Sequence, residues 1–178
     1  MSVWQSVSVT TNGVTGSSGN VFVPRTPESF GYDAGGNMAN DGRWSFTWDA
    51  ENRLLKVESR ADTPKTSWWR VEWTYDAKGR RIRQTTSVWT NRAWLVIADL
   101  KFISDAMSVG RHIAELNATN NSLVRAYIWG LELSETLDGA GGVGGLLWVR
   151  AATGPAAGTH FVSYDGNGNV WNLISAST

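Results

Sequence analysis

Four segments of this 178-residue chain repeat one local pattern: an aromatic residue, an Asp, two variable residues, a Gly or Asn, and then an Asn or Arg. They are Tyr32-Asp33 with Gly36-Asn37, Trp48-Asp49 with Asn52-Arg53, Tyr75-Asp76 with Gly79-Arg80, and Tyr164-Asp165 with Gly168-Asn169. An apolar side chain stands two residues before each aromatic, namely Phe30, Phe46, Trp73 and Val162. That spacing is the period of a strand with one buried face. The unit therefore reads as a strand running into a tight turn. The aromatic closes the buried face, the Asp carboxylate accepts N–H groups of the residues after it, and the Gly or Asn takes a left-handed conformation. The copies are irregularly spaced, which predicts hairpins of variable length rather than a solenoid period.

Strand periodicity continues outside the repeat. Trp69, Val71, Trp73 and Tyr75 alternate with Arg70, Glu72 and Thr74; Trp44, Phe46 and Trp48 alternate with Ser45 and Thr47; His160, Val162 and Tyr164 do the same. Further strand-like runs are 54–59, 80–87, 94–104, 112–117, 123–129, 146–150 and 170–175. Asp41-Gly42, Asp138-Gly139, Asp165-Gly166 and Asn167-Gly168 lie between runs and supply the positive φ angles of hairpin turns. No stretch holds a capped 3.6-residue period. The chain reads as all-β, a single domain over residues 1–178, with the polar segment 1–20 around Asn12-Gly13 expected to be poorly ordered.

Composition bounds what such a sheet can do. A chain of this length can bury roughly 70% of its unfolded surface. Sixteen Lys plus Arg offset sixteen Asp plus Glu, and charged residues make up 18% of the chain, below the roughly 25% of an ordinary domain. No nucleic-acid partner is expected from such a balance. The absence of Cys removes disulfides, thiolate nucleophiles and Cys-type zinc sites together. Eleven Trp outnumber the five Phe and four Tyr combined. No basic residue precedes Arg25 and no apolar h-region follows the start, so no secretory signal is expected in this chain. The longest apolar run, 141–149, is about half the roughly 18 residues of a membrane span.

The four units resemble the YD repeats of the Rhs (rearrangement hotspot) family, shared with insecticidal toxin-complex shells and teneurin ectodomains. Tyr127-Ile128-Trp129-Gly130-Leu131-Glu132-Leu133, Gly141-Gly142-Val143-Gly144-Gly145-Leu146-Leu147 and Tyr164-Asp165-Gly166-Asn167-Gly168-Asn169-Val170 also follow the order of the bacterial Rhs core. The resemblance implies antiparallel YD-repeat hairpins in a curled sheet that spirals into a hollow shell around a toxic C-terminal polypeptide. It also implies carbohydrate binding in some members, and a bacterial protein that is exported or at the cell surface. The family's Asp-Pro self-cleavage segment has no counterpart here, so autoproteolysis and a payload are not carried over. A sheet this short leaves its edges open, which predicts closure on itself or by dimerisation.

Two arrangements could carry chemistry. Trp68 and Trp69 are adjacent and point to opposite faces; if Trp69, Trp73 and Tyr75 fill the core, Trp68 stands outside with Arg70 and Glu72 as a ligand-binding platform, a glycan being the class that stacks on indole. Packing against a curved sheet is the competing account of the same tryptophans. A glycosidase or esterase would need two carboxylates roughly 5 to 10 Å apart, and Glu72 with Asp76 or Glu58 is the pair to test, although the repeat Asp residues already serve turns. His112 and His160 read as packed or surface imidazoles, and no Gly-x-Ser-x-Gly elbow is present. Asp165, Asn167 and Asn169 begin like a calcium loop, but Val170 and Ala176 stand where a Gly and a Glu are required. The glycines of 139–145 lack a phosphate-loop Lys, and the basic run 78–83 lies beside Glu72 and Asp76 as a solvated strand face. No metal site and no cofactor is expected. The leading expectation is a structural or recognition fragment of a YD-repeat shell; the alternative is a small glycan-active or ester hydrolase.

Overall fold

The computed structural model describes residues 1–90, 92–106, 111–137 and 139–177, so the expected Asp138-Gly139 turn lies partly outside the described residues. Among the described residues, fourteen strands and one 3-10 turn account for the regular structure: β1 Val3–Thr11, β2 Val14–Val23, β3 Gly31–Tyr32, β4 Met38–Asn40, β5 Trp44–Trp48, β6 Leu54–Ser59, a 3-10 turn Lys65–Ser67, β7 Trp69–Tyr75, β8 Arg81–Thr90, β9 Ala93–Ser104, β10 His112–Asn117, β11 Leu123–Trp129, β12 Leu146–Ala151, β13 Gly158–Tyr164 and β14 Val170–Ser175. Strands β3 to β14 form one twelve-stranded sheet in sequence order, and β1 pairs with β2 alone. The pairs β1–β2, β3–β4, β4–β5, β5–β6, β6–β7, β9–β10, β10–β11, β11–β12, β12–β13 and β13–β14 are antiparallel. The all-β antiparallel expectation is met. Closure of the sheet on itself is not: β3 and β14 are its two ends.

Each aromatic-Asp unit folds the same way. Asp33, Asp49, Asp76 and Asp165 each donate their backbone N–H to the carbonyl four residues on, at 2.9 to 3.0 Å, and accept at their own carbonyl from the N–H three residues on. The residue at that third position has positive φ in every copy: Gly36 +84°, Asn52 +59°, Gly79 +75° and Gly168 +80°. A β-bulge is built into the unit as well. Tyr32 opposes Met38 while Gly31 opposes Asn40, Trp48 opposes Leu54 while Thr47 opposes Lys56, and Tyr164 opposes Val170 while Ser163 opposes Asn172. One residue is skipped each time, namely Ala39, Leu55 and Trp171. A bulge at the start of the returning strand raises the local right-handed twist, so the repeat encodes a bend together with a turn.

By backbone contact the chain divides into two compact units, Met1–Trp73 with Thr85–Ala98, and Thr74–Gln84 with Asp99–Thr178. In the first, the β1–β2 hairpin covers the segment expected to be poorly ordered. It turns at Asn12 and Gly13, both with positive φ. Its cross-strand pair Trp4 and Phe22 holds the Arg43 guanidinium, whose Cζ lies 5.6 and 4.8 Å from their rings and 4.5 Å from Trp44. The opposite face of the hairpin carries Val3, Val7, Val9, Val21 and Val23, all exposed.

A conventional core is the expectation that fails. Among the described residues Val149 is the one large apolar side chain that is buried, and Trp69, expected inside, is 42% exposed. Trp73 and Tyr75 are half-buried. The reason is architectural. A sheet face becomes a core when a second layer covers it, and the described residues contain no helix longer than the Lys65–Ser67 turn. What is buried is polar instead: Ser59, Thr63, Ser67, Thr86, Ser87, Arg111, Glu115 and Glu132.

Candidate functional site

The repeat carboxylates are committed to their turns. Asp76 Oδ1 accepts from the N–H groups of Lys78 and Arg80, each at 2.9 Å, and Oδ2 accepts from Arg80 Nε at 2.8 Å. Asp49 repeats this with Glu51 and Arg53, Asp33 with Gly35 and Asn37, and Asp165 with Asn167 and Asn169. The N–H of Arg80 is the largest of the contacts that hold the Asp76 carboxyl below the usual range, with the Arg80 guanidinium and Lys78 N–H adding to it against desolvation. A general acid needs the opposite shift. The fourth residue after the Asp, an Asn or Arg in every copy, closes the turn through its side chain.

Trp68 follows directly on the 3-10 turn and leads into β7. Its Nε1–H lies 3.0 Å from both the carbonyl and the hydroxyl of Thr63. Its ring stacks on Trp94 at 6.3 Å and 19° and meets Trp89 edge-on at 5.3 Å, while Trp89 and Trp94 meet edge-on at 5.4 Å. Lys65 Nζ stands 5.6 Å from the Trp68 ring, and Arg70 Cζ lies 4.2 Å from the Trp94 ring. Trp68 is therefore a half-buried member of an indole trio. Trp69, on the other side of the strand, is the more exposed indole.

Beside the trio the two strands carry a small charge grid. Glu58 on β6 opposes Arg70 on β7, and Lys56 opposes Glu72. The Glu58 carboxylate is paired with Arg70 and lies 3.8 Å from Lys56 Nζ. Alternation puts Lys56, Glu58, Arg70 and Glu72 on one face of the sheet. The structure thus gathers Trp68, Arg70, Glu72 and Glu58 in one region of the first unit, whereas Asp76 is engaged in the turn after β7.

The feature that sequence reasoning missed lies in the second unit. Glu132 starts a fifth copy of the repeat turn: its N–H donates to Thr136 O at 3.0 Å, the N–H of Glu135 donates to Glu132 O at 2.9 Å, and Glu135 has φ +59°. Unlike the Asp carboxylates, this one takes no backbone N–H of its own turn, although the hydroxyls of Ser134 and, at 3.4 Å, Thr136 in that turn donate to it. It is buried and accepts from the N–H groups of Ala140 and Gly142, from Ser134 Oγ at 2.8 Å, and from Arg111 Nη2 at 3.4 Å. Arg111 is 4% exposed and its Cζ lies 5.6 Å from the Trp129 ring. Burial pushes the Glu132 carboxyl up, but the two N–H groups, Ser134 and Arg111 outweigh it and leave it below the usual range. The glycines of 139–145 are thus folded around a carboxylate. Close contact continues beyond them, for a Cβ at Gly168 would stand 2.6 Å from Val143 and 2.8 Å from Leu133.

Other polar clusters are also paired. Glu115 binds the Tyr127 hydroxyl and Arg125, and burial together with that bond pushes the Tyr127 pKa up to about 12. Ser104 Oγ is 3.2 Å from His112 Nδ1, and the Phe102 and His112 rings lie 4.9 Å apart. An open depression is lined by Asn40, Ser45, Arg60, Ala61 and Asp62, with Arg60 bound to Asp62, Asn40 and the Asp41 carbonyl. None of the residues expected at a site lines it. Among the described residues no three His, Asp or Glu side chains are grouped to hold a metal ion, and no helix is long and apolar enough to cross a membrane.

No family model matches the chain. It is similar to the tRNA nuclease WapA of Bacillus subtilis (strain 168), at 29% identity over 103 residues, which are 58% of this chain and 4% of that protein. It is also similar to the tRNA3(Ser)-specific nuclease WapA of Bacillus spizizenii, at 37% identity over 60 residues, which are 34% of this chain and 2% of that protein. The chain thus spans about 4% of the length of the curated relatives it matches. A crystal structure of TcdB2-TccC3-TEV superposes on 94% of this chain and 9% of that one, with a TM-score of 0.46 and 16% identity.

Proposed function

We propose that this chain is a wall segment of a YD-repeat shell, with a structural role. The carrying observation is the turn-and-bulge unit, whose Asp residues spend both carboxylate oxygens on the chain itself. A carboxylate held ionised by N–H groups and a guanidinium is a poor proton donor, and Glu58 is already paired with Arg70 and Lys56. The tRNA cleavage in the relatives' names belongs, on this reading, to the large remainder of those proteins. Glycan recognition at Trp68, Arg70 and Glu72, which alternation places on one face of the strand, is the finer form of the proposal.

The test is direct. The purified chain is incubated with tRNA and with chromogenic glycosides and esters, and its melting temperature is followed against a sugar panel. The expected result is no turnover of any of them. Turnover that disappears in Glu72→Gln or Asp76→Asn would overturn the structural reading in favour of a hydrolase. A sugar-dependent rise in melting temperature that is lost in Trp68→Ala and in Glu72→Ala would establish the glycan form of it.

A further inference from the structure

The chain holds two Asn-Gly pairs, Asn12-Gly13 at the tip of the β1–β2 hairpin and Asn167-Gly168 in the turn between β13 and β14. Such a pair can modify itself. The backbone nitrogen of the glycine, unshielded by a Cβ, gives up its proton and attacks the Asn side-chain carbonyl carbon. The new C–N bond closes a five-membered imide, and the side-chain nitrogen takes up a proton and leaves as ammonia. Water then opens the imide at either carbonyl to give aspartate or isoaspartate, so solvent is the only other reactant. Three local conditions govern the attack: a glycine N–H that can lose its proton, an Asn side chain that can rotate, and a backbone free to bring them together.

At Asn167-Gly168 the repeat turn works against the attack. The Gly168 N–H donates to the Asp165 carbonyl at 3.1 Å, and the Asn167 N–H donates to Asp165 Oδ1 at 2.9 Å. Asn169, through its side chain first and then its N–H, holds the Asp165 carboxyl below the usual range. That carboxylate therefore stays ionised, and a negative charge beside Gly168 opposes the loss of its proton. Val143 and Leu133 crowd the same glycine, where a Cβ would stand 2.6 and 2.8 Å from them.

At Asn12-Gly13 those restraints are missing. Among the described residues neither the Asn12 side chain nor the Gly13 N–H has a hydrogen-bond partner, and a Cβ at Gly13 would meet nothing within 4 Å. Residues 5–21 are all exposed, and no Asp or Glu stands in 1–24. With φ of +52° and +79° the pair forms a left-handed hairpin turn, and the peptide between them must rotate out of it before the attack. That opening breaks the pairs Thr11–Val14 and Thr10–Thr15, which the register shift between Val9 and Thr10 separates from the rest of the ladder. Fraying of this kind at a ribbon end costs little. We propose that Asn12 is a self-modification site, converted through Gly13 to aspartate and isoaspartate while Asn167 stays intact. Either product places the first charged side chain in 1–24. Isoaspartate also lengthens the main chain by one methylene, which takes a two-residue turn out of the spacing that pairs Thr11 with Val14.

The test incubates the whole chain at pH 6, 7 and 8, follows its peptides by mass spectrometry and counts isoaspartate by enzymatic methylation. Site 12 is expected to turn acidic on the order of tenfold faster than site 167, the difference that a lost hydrogen bond and a relieved charge make to a rate. Its rate should rise with pH, because the attacking nitrogen must lose a proton. Asn12→Gln, whose imide would need a six-membered ring, should remove the early acidic form of the chain on isoelectric focusing. Asp165→Ala strips the charge from the other turn and should bring the rate at Asn167 toward that at Asn12. No acid at site 12, equal rates at the two sites, or reaction first at site 167 would each overturn the inference. An unchanged rate at Asn167 in Asp165→Ala would overturn the protection assigned to that turn.

Discussion

Two turns with the same backbone serve this molecule in opposite ways. At Asp76 the acid is at the surface of the sheet, folds back on its own loop and is joined by Arg80 four residues away. At Glu132 the same backbone turn carries one more methylene, and the carboxylate takes only the Ser134 and Thr136 hydroxyls from its own loop while it reaches a buried Arg111 and the N–H groups of Ala140 and Gly142. An Asp reaches the N–H groups two and four residues on; a Glu overshoots them and can pin a distant segment. The repeated turn is thus a module whose acid side chain decides whether it stabilises itself or organises its neighbourhood.

The sharpest way to break that contrast is to remove the buried cation. Arg111→Met strands the Glu132 carboxylate away from water, and breaking a buried pair on one side costs about 3–5 kcal/mol. For a chain of this size that lowers the melting temperature by on the order of 10 °C. Arg111→Met combined with Glu132→Leu removes the stranded charge, and recovery of part of the loss in thermal unfolding would show that the cost is the uncompensated charge. Equal melting of Arg111→Met and wild type would dissolve the distinction between the two turns.

Asp76→Ala is the matching change in the turn that water reaches. It removes acceptors for two N–H groups and for the Arg80 side chain, but water replaces them. A net hydrogen-bond loss of this kind is worth about 1 kcal/mol in general, so the melting temperature should fall by roughly 2–4 °C. Asp76→Asn keeps the Oδ1 acceptor and should lose less than the alanine variant. A fall as large as that of Arg111→Met would mean that exposure does not separate the two turns.

The difference between these turns also explains what the residues disclosed before any coordinates. The four aromatic-Asp units were legible because their chemistry is local: acid, left-handed residue and closing Asn or Arg lie within five positions. Strands with clean alternation were legible for the same reason, and β6, β10, β11 and β14 have the bounds that their side-chain pattern predicts. The Glu132 turn was not, since its acid is a Glu preceded by Leu131, and its partners at Arg111 and in the glycine run are reached only through folding. Its one visible signal is a Glu at the head of a five-residue turn before a run of glycines. The surroundings of Trp68 were not legible for a related reason: alternation says which face an indole takes, while Trp89 and Trp94, brought beside it by the pairing of distant strands, are its neighbours there.

The smallest expected effect separates the two regions by pH. His112 follows Arg111 in the chain, and its carbonyl accepts the Trp129 indole N–H at 2.7 Å. Burial is the largest influence on its imidazole and lowers its pKa; Arg81 acts in the same direction and Glu115 opposes them. The unfolded chain therefore binds the proton more readily than the folded one. The stabilisation from a neutral His112 is fully present above an unfolded pKa of about 6.5 and is lost as pH falls from there through the lower folded value. The aromatic-Asp turns behave otherwise. Asp33, Asp49, Asp76 and Asp165 all have lowered carboxyl pKa values, so their contribution survives until pH drops below about 3.9 and then through those lowered values. Melting curves from pH 8 to pH 5 should slope downward for the wild type and less so for His112→Phe, with the two converging in shape only under stronger acid. Parallel curves for the two proteins between pH 7 and pH 5 would show that the imidazole is not the titrating group, and would leave the buried region no more sensitive to mild acid than the turns at the surface.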